Sequence, residues 1–276
     1  MLSTPGREMP TRRPRGPVRL FQLDAFAHRR FSGNPAAVMP LDRFPDDAVL
    51  RALAAENNLS ETAFLVSAGK EYRLRWFTPV TEVPLCGHAT LASAAVVMER
   101  LEPGRKVVVF QSASGPLTVR KRGRRYVMDF PARPAKRAQV LPAVTKALGI
   151  APTELWENEF NYMAVYEDPV QVRKLEPDFP AVARLGTPGV IVTAPGDGSF
   201  DFISRYFAPA KGINEDPVTG AAHCTLAPYW AARLGKGELR AFQASRRGGE
   251  VVCRLAGDRV ALEGEVVFYL EGDAWV

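Results

Sequence analysis

One pattern occurs twice, 130 residues apart: arginine, an aromatic residue, phenylalanine, any residue, proline. It reads Arg75-Trp76-Phe77-Thr78-Pro79 and Arg205-Tyr206-Phe207-Ala208-Pro209. A glycine-led, alanine-rich run follows each copy, in Cys86-Gly87-His88-Ala89-Thr90-Leu91-Ala92 and in Asp216-Pro217-Val218-Thr219-Gly220-Ala221-Ala222-His223. Leu91, Ala94, Ala95 and Met98 share one stripe at helical spacing, as do Ala222, Leu226, Tyr229 and Trp230, so buried helices are predicted near 87–100 and 220–234. A repeat this long indicates a duplicated domain rather than a solenoid. Both helices begin with small residues, leaving clusters of backbone N–H groups free at ends carrying about half a positive charge. Two halves facing each other would bring those ends together around a small carboxylate.

The chain has 276 residues and a formal net charge of +6, but half of that charge sits in residues 1–16, where four arginines oppose one glutamate. That proline-rich tail is expected to be disordered. The remainder carries no basic block interleaved with aromatics, and Arg122, Arg124 and Arg125 fall at a hairpin turn, so no nucleic-acid partner is expected. No run reaches the roughly 18 apolar residues of a membrane span, and no apolar signal segment opens the chain. Cys86, Cys224 and Cys253 form no metal spacing and cannot all pair, which points to a reducing, cytoplasmic setting.

Strands are predicted at 18–26, 36–39, 62–66, 72–77, 106–111, 115–121 and 125–130, with a helix within 41–58. Phe130-Pro131-Ala132-Arg133-Pro134 is the best boundary, since two prolines in five residues end any strand. Beyond it come a helix near 141–149, strands at 160–166, 188–194 and 200–207, and a closing meander at 251–255, 260–263 and 266–270. The fold class is α+β: two similar halves, each a curled sheet around one long helix.

Glu61 stands at the mouth of an apolar strand, where facing water is the default for a carboxylate. Asp216 precedes a proline, the ordinary setting of a turn-former. Cys86 and His88 flank Gly87, and His223 lies one turn into the second helix. The positive helix ends are expected to lower the thiol pKa and to keep both imidazoles neutral. His28 reads as plain surface.

The segments Phe31-Ser32-Gly33-Asn34-Pro35-Ala36-Ala37-Val38, Leu59-Ser60-Glu61-Thr62-Ala63-Phe64, Phe77-Thr78-Pro79 with Cys86-Gly87-His88-Ala89-Thr90, and Glu215-Asp216-Pro217-Val218-Thr219-Gly220 with Ala222-His223 resemble the PhzF-like (phenazine biosynthesis) family, within the diaminopimelate epimerase superfold. The resemblance runs from about residue 18 onward. It implies two pseudo-symmetric domains, each a β-barrel around a central helix, at 17–131 and 132–264, with about 265–276 crossing back to complete the first. It also implies a homodimer, Glu61 as acid/base, and His88 and Asp216 as site residues. Gly87 and Gly220 become the helix-start glycines, and Asn34, Thr219, Ala221 and His223 join them as the substrate-binding set. In the related racemases two cysteines face each other across the substrate; Cys86 and Asp216 hold those places here. Ala221 stands where many members have serine, which removes a hydroxyl contact.

The sequence therefore predicts an isomerase or epimerase that moves a proton on a small-molecule carboxylate by general acid/base catalysis. No phosphate loop, metal cluster or lysine in a cofactor setting calls for a cofactor. Two alternatives stand beside it: a two-base amino-acid racemase using Cys86 and Asp216, and a non-catalytic binding or scaffold protein.

Overall fold

The computed structural model describes residues 16–276, and the tail expectation otherwise lies outside the described residues. The first half runs β1 (Pro17–Ala25), β2 (Asn34–Leu41), α1 (Asp47–Asn57), β3 (Glu61–Ala68), β4 (Glu71–Phe77), β5 (Glu82–Val83), α2 (Gly87–Val96, prolonged by a π-turn at Val97–Leu101), β6 (Val107–Ser112), β7 (Gly115–Arg122) and β8 (Arg125–Pro131). The second opens with β9 (Lys136–Ala138) and α3 (Pro142–Leu148). It continues through β10 (Glu154–Glu157), β11 (Asn161–Val165), α4 (Pro169–Lys174), α5 (Phe179–Ala183), β12 (Gly189–Pro195), β13 (Phe202–Ala208), β14 (Ile213–Glu215), α6 (Gly220–Leu234), β15 (Glu238–Gln243), β16 (Gly249–Ala256) and β17 (Arg259–Gly264). Last comes β18 (Val266–Trp275).

The pairings repeat. β2 lies parallel to β3 and β4 parallel to β6, as β11 lies parallel to β12 and β13 parallel to β15; the hairpins between them are antiparallel. The repeated motif has the same local job in both halves. Arg75 grips Glu82 with two hydrogen bonds and lies over the Phe77 ring, and Arg205 does the same with Glu215 and Phe207. The two sets of strands join through antiparallel β8 and β17, in which Met128 faces Leu262. After β8, β9 pairs with β10, while β18 runs antiparallel to β1 from Pro17↔Trp275 to Ala25↔Val266.

The main apolar cluster gathers buried side chains of both α2 and α6, including Leu91, Ala95, Leu226 and Trp230, so the two helices share one core. Thr90 and Ser93, buried within α2, return their hydroxyls to the Cys86 and Ala89 carbonyls, which satisfies them without breaking the apolar face. Smaller clusters cover the outer face of each half, Phe64 and Phe77 with α1's Leu50, and Val190 and Phe207 with Val172 and Val182. With helices on both faces, the strand 62–66 is a continuous apolar run rather than an alternating one.

Candidate active site

Both helix starts lie at the seam. A Cβ added to Gly87 would meet Met128 and Phe130 at 3.9 Å, and one added to Gly220 would meet Leu262 at 3.5 Å. The two glycines thus sit on neighbouring sides of the Met128–Leu262 pair. Neither helix has a side-chain cap, because the flanking residues Cys86 and Thr219 turn their side chains elsewhere. The first-turn N–H groups of two long helices are therefore available at the junction of the halves.

Asn34 ties the two ends together. Its Nδ2 lies 2.8 Å from Asp216 Oδ1, 3.0 Å from the Val218 carbonyl and 3.2 Å from His88 Nδ1. An amide nitrogen has two protons, so these three acceptors share them. The reverse amide orientation would set an oxygen against two others, which fixes nitrogen toward Asp216 and Val218. His88 Nδ1 then accepts, and the ring proton is assigned to Nε2.

Nε2 points at Glu61. The His88 Nε2–Glu61 Oε2 separation is 3.2 Å, with side chains only 6% and 13% exposed. The contact is within ion-pair distance but poorly aligned for a hydrogen bond, so both buried atoms otherwise lack a polar partner. Glu61 is not the water-facing strand entry that its residue type favours. Cys86 Sγ lies 3.5 Å from His88 Nδ1, within hydrogen-bond distance for sulfur.

The helix ends do not dominate the titration of Cys86 and His88 as the sequence predicts. Burial pushes the Cys86 thiol up, and the nearby Glu61 charge adds to that. Burial alone would lower His88, but the acidic neighbours Cys86 and Glu61 outweigh it and the imidazole pKa rises well above its ordinary value. His223 does follow expectation: burial lowers it to about 4. Its Nδ1 lies 2.8 Å from the Thr219 carbonyl, and no part of the residue reaches solvent.

Asp216 is more than a turn-former. Thr219 Oγ1 donates to its Oδ2 at 2.5 Å, and burial raises its pKa although His88, Thr219 and Asn34 pull the other way. Gln243, fully buried, accepts from the Thr219 N–H at 2.8 Å and donates to the Asp216 carbonyl at 2.7 Å. The sequence reading missed Gln243. Its signal was a glutamine on the buried phase of β15, after Leu239 and Ala241. Gly87 is partly exposed and Gly220 buried, while Ala221 is exposed at the start of α6.

Glu61, Cys86 and His88 bring one donor atom each within 4.8 Å of one another, a grouping that no cysteine spacing foretells. Glu61 addresses Nε2 and Cys86 addresses Nδ1, so they flank opposite edges of the ring instead of converging on one point. That is the geometry of a proton relay more than of a metal cage.

Known proteins resemble this chain over most of its length. The phenazine biosynthesis-like (PhzC-PhzF) family matches residues 23–272. An uncharacterized isomerase of Pseudomonas aeruginosa is 49% identical, over 92% of this chain and 97% of its own. A crystal structure of a PhzF-family protein from Enterococcus faecalis superposes with a TM-score of 0.92 at 44% identity, covering 95% of this chain and 100% of that one. A hydroxyproline epimerase from Agrobacterium vitis, only 12% identical, shares the fold at a TM-score of 0.59 over 95% of this chain and 93% of its own. The two-helix, repeated α+β architecture is thus that of the diaminopimelate epimerase type, and this chain belongs to the phenazine biosynthesis-like family of isomerases.

Proposed function

We propose that the protein is a cofactor-independent isomerase or epimerase that shifts a proton on a small carboxylate, with Glu61 as the general acid/base. The observation that carries this reading is the Glu61 Oε2 atom: buried, without a hydrogen-bond partner, and 3.2 Å from His88 Nε2 at the first turn of α2. A buried carboxylate left unsatisfied is costly and is expected where chemistry uses it.

The substrate carboxylate would lie between the starts of α2 and α6, accepting hydrogen bonds from their first-turn N–H groups. Glu61 would take a proton from carbon beside that carboxylate. Negative charge then spreads onto the carboxylate oxygens, where the helix dipoles and the first-turn backbone N–H groups would stabilise it. Glu61 would return the proton to another position on the same face, whereas return to the other face would need a second acid such as Asp216 or Cys86. His88, with Glu61 at one nitrogen and Cys86 at the other, would balance charge as Glu61 changes protonation state. Asp216, held by Asn34 and Thr219, would orient the substrate from the second half. Three free, buried cysteines support a reducing compartment for this chemistry.

The test begins with a thermal-shift screen of small carboxylates, since a ligand of the folded state raises the melting temperature. Glu61→Gln keeps shape but not the titratable group. Turnover of a ligand so found, followed in heavy water, is expected to fall by roughly 100- to 10,000-fold while binding persists. Turnover within a few-fold of the parent protein would sink the assignment.

A further inference from the structure

The second half has no counterpart of Glu61 in its sequence, and the reason is visible in the strand register. Thr62 faces Phe77 across β3 and β4, as Val190 faces Phe207 across β12 and β13, so Gly189 occupies the position equivalent to Glu61. A Cβ on Gly189 would fall 2.1 Å from the Tyr206 hydroxyl. The phenol thus fills the place where the first half keeps its carboxylate. Its oxygen lies 3.1 Å from Asn161 Oδ1, to which it donates, and accepts from Lys211 Nζ at 3.2 Å.

Beside it sits Arg133, held by a device internal to α6. Pro228 lacks the N–H that would bond the Cys224 carbonyl, and the Arg133 backbone N–H takes that carbonyl at 2.9 Å instead. Asn158 donates to the Arg133 carbonyl and to Thr225 Oγ1, both at 3.1 Å, and accepts from the backbone of Phe160 and Asn161. This places the Arg133 guanidinium 4.1 Å over the Phe160 ring. Arg133 and Lys211 each lack a carboxylate within ion-pair distance among the described residues. Burial and Asp216 push Tyr206 up to about 12 against the pull of Arg133, and burial, with Arg133, lowers Lys211 against the pull of Asp216.

We propose that the substrate is a dicarboxylate, its reacting carboxylate on the helix starts and its second carboxylate on Lys211 and Arg133, beside the Tyr206 hydroxyl. The ammonium group has two protons left after Tyr206, and the stacked guanidinium presents its planar fork; together they suit a carboxylate. This inference rests on the reading of the cleft as a carboxylate site.

Titration calorimetry with succinate, glutarate and adipate, each against its monoamide, isolates the second charge at nearly constant shape. The parent protein is expected to bind at least one dicarboxylate about tenfold tighter than its monoamide, a difference of about 1.4 kcal/mol. Lys211→Met and Arg133→Gln should each erode that preference, and the pair together should bring it within about twofold. Thermal melts check folding, and the single variants carry the test if the double one does not fold. No preference in the parent protein, no binding by any pair, or a preference that survives both substitutions overturns the proposal. Glu61→Gln is expected to keep the full preference, so its loss of turnover bears on the acid/base reading alone.

Discussion

Asn34 is the residue on which the two halves agree. It reaches Asp216 and Val218 in one half and His88 in the other, and its own carbonyl oxygen is buried without a partner. Such a side chain is selected by its donors, and no apolar residue of its size can replace them. His223 illustrates the opposite case, a histidine in a helix first turn whose effect is on stability. Its folded pKa of about 4 lies below the ordinary 6.5, so below pH 6.5 the unfolded chain takes up a proton that the folded one refuses. Its contribution is complete above pH 6.5 and is lost as pH falls toward 4, by about 3 kcal/mol at most. His88, shifted the other way, loses its contribution only as pH rises above 6.5, outside that window. In His223→Asn the amide nitrogen can keep the Thr219 bond. Urea unfolding at pH 7 and pH 4.5 is expected to show the parent protein losing more stability on acidification than this variant. Equal losses would mean that His223 is not buried neutral.

At the scale of elements, the helix starts separate fold from function. Because a Cβ at Gly87 or Gly220 meets only ordinary contacts, Gly87→Ala and Gly220→Ala should leave the melting temperature unchanged or raise it slightly. The same methyl groups stand where a carboxylate approaches the N–H groups, so ligand affinity should drop by about tenfold or more. A large loss of stability without loss of affinity would contradict the site. These elements were legible in the sequence because Gly-led, apolar-striped runs are long and periodic. Long strands such as β3, β4, β7 and β8 were legible for the same reason. β5, β9 and β14 were not, since two or three residues carry too little periodicity to stand out from loops, and β10 and β15 were not legible either. Missing β15 meant missing Gln243, which fastens the Asp216–Thr219 turn. Glu61, Asp216 and His88 stood out by motif, but their contact did not: it depends on Asn34, whose three partners are 54 to 184 residues away in the chain. Helix dipoles alone do not foretell the titration of Cys86 and His88, because burial and the Glu61 charge surround them.

Across the whole molecule, β18 leaves the second half, which it follows, and pairs with β1 of the first. Deleting residues 265–276 would uncover the full length of β1, whose Phe21 packs on Phe268, and break the paired Arg100–Glu271 contact. The truncated protein is expected to self-associate through that edge, seen as a rise in mass by light scattering, and to melt earlier. A monomer with an unchanged melting temperature would mean that β18 is dispensable. The pairing of β1 with β18 also sets a clock. Roughly 240 residues separate Ala25 from Val266. At the usual pace of translation, on the order of 5–20 residues per second, the first strand waits some ten to fifty seconds for its neighbour. Throughout that interval the nascent chain displays an open edge, and chaperones have their longest opportunity to bind there.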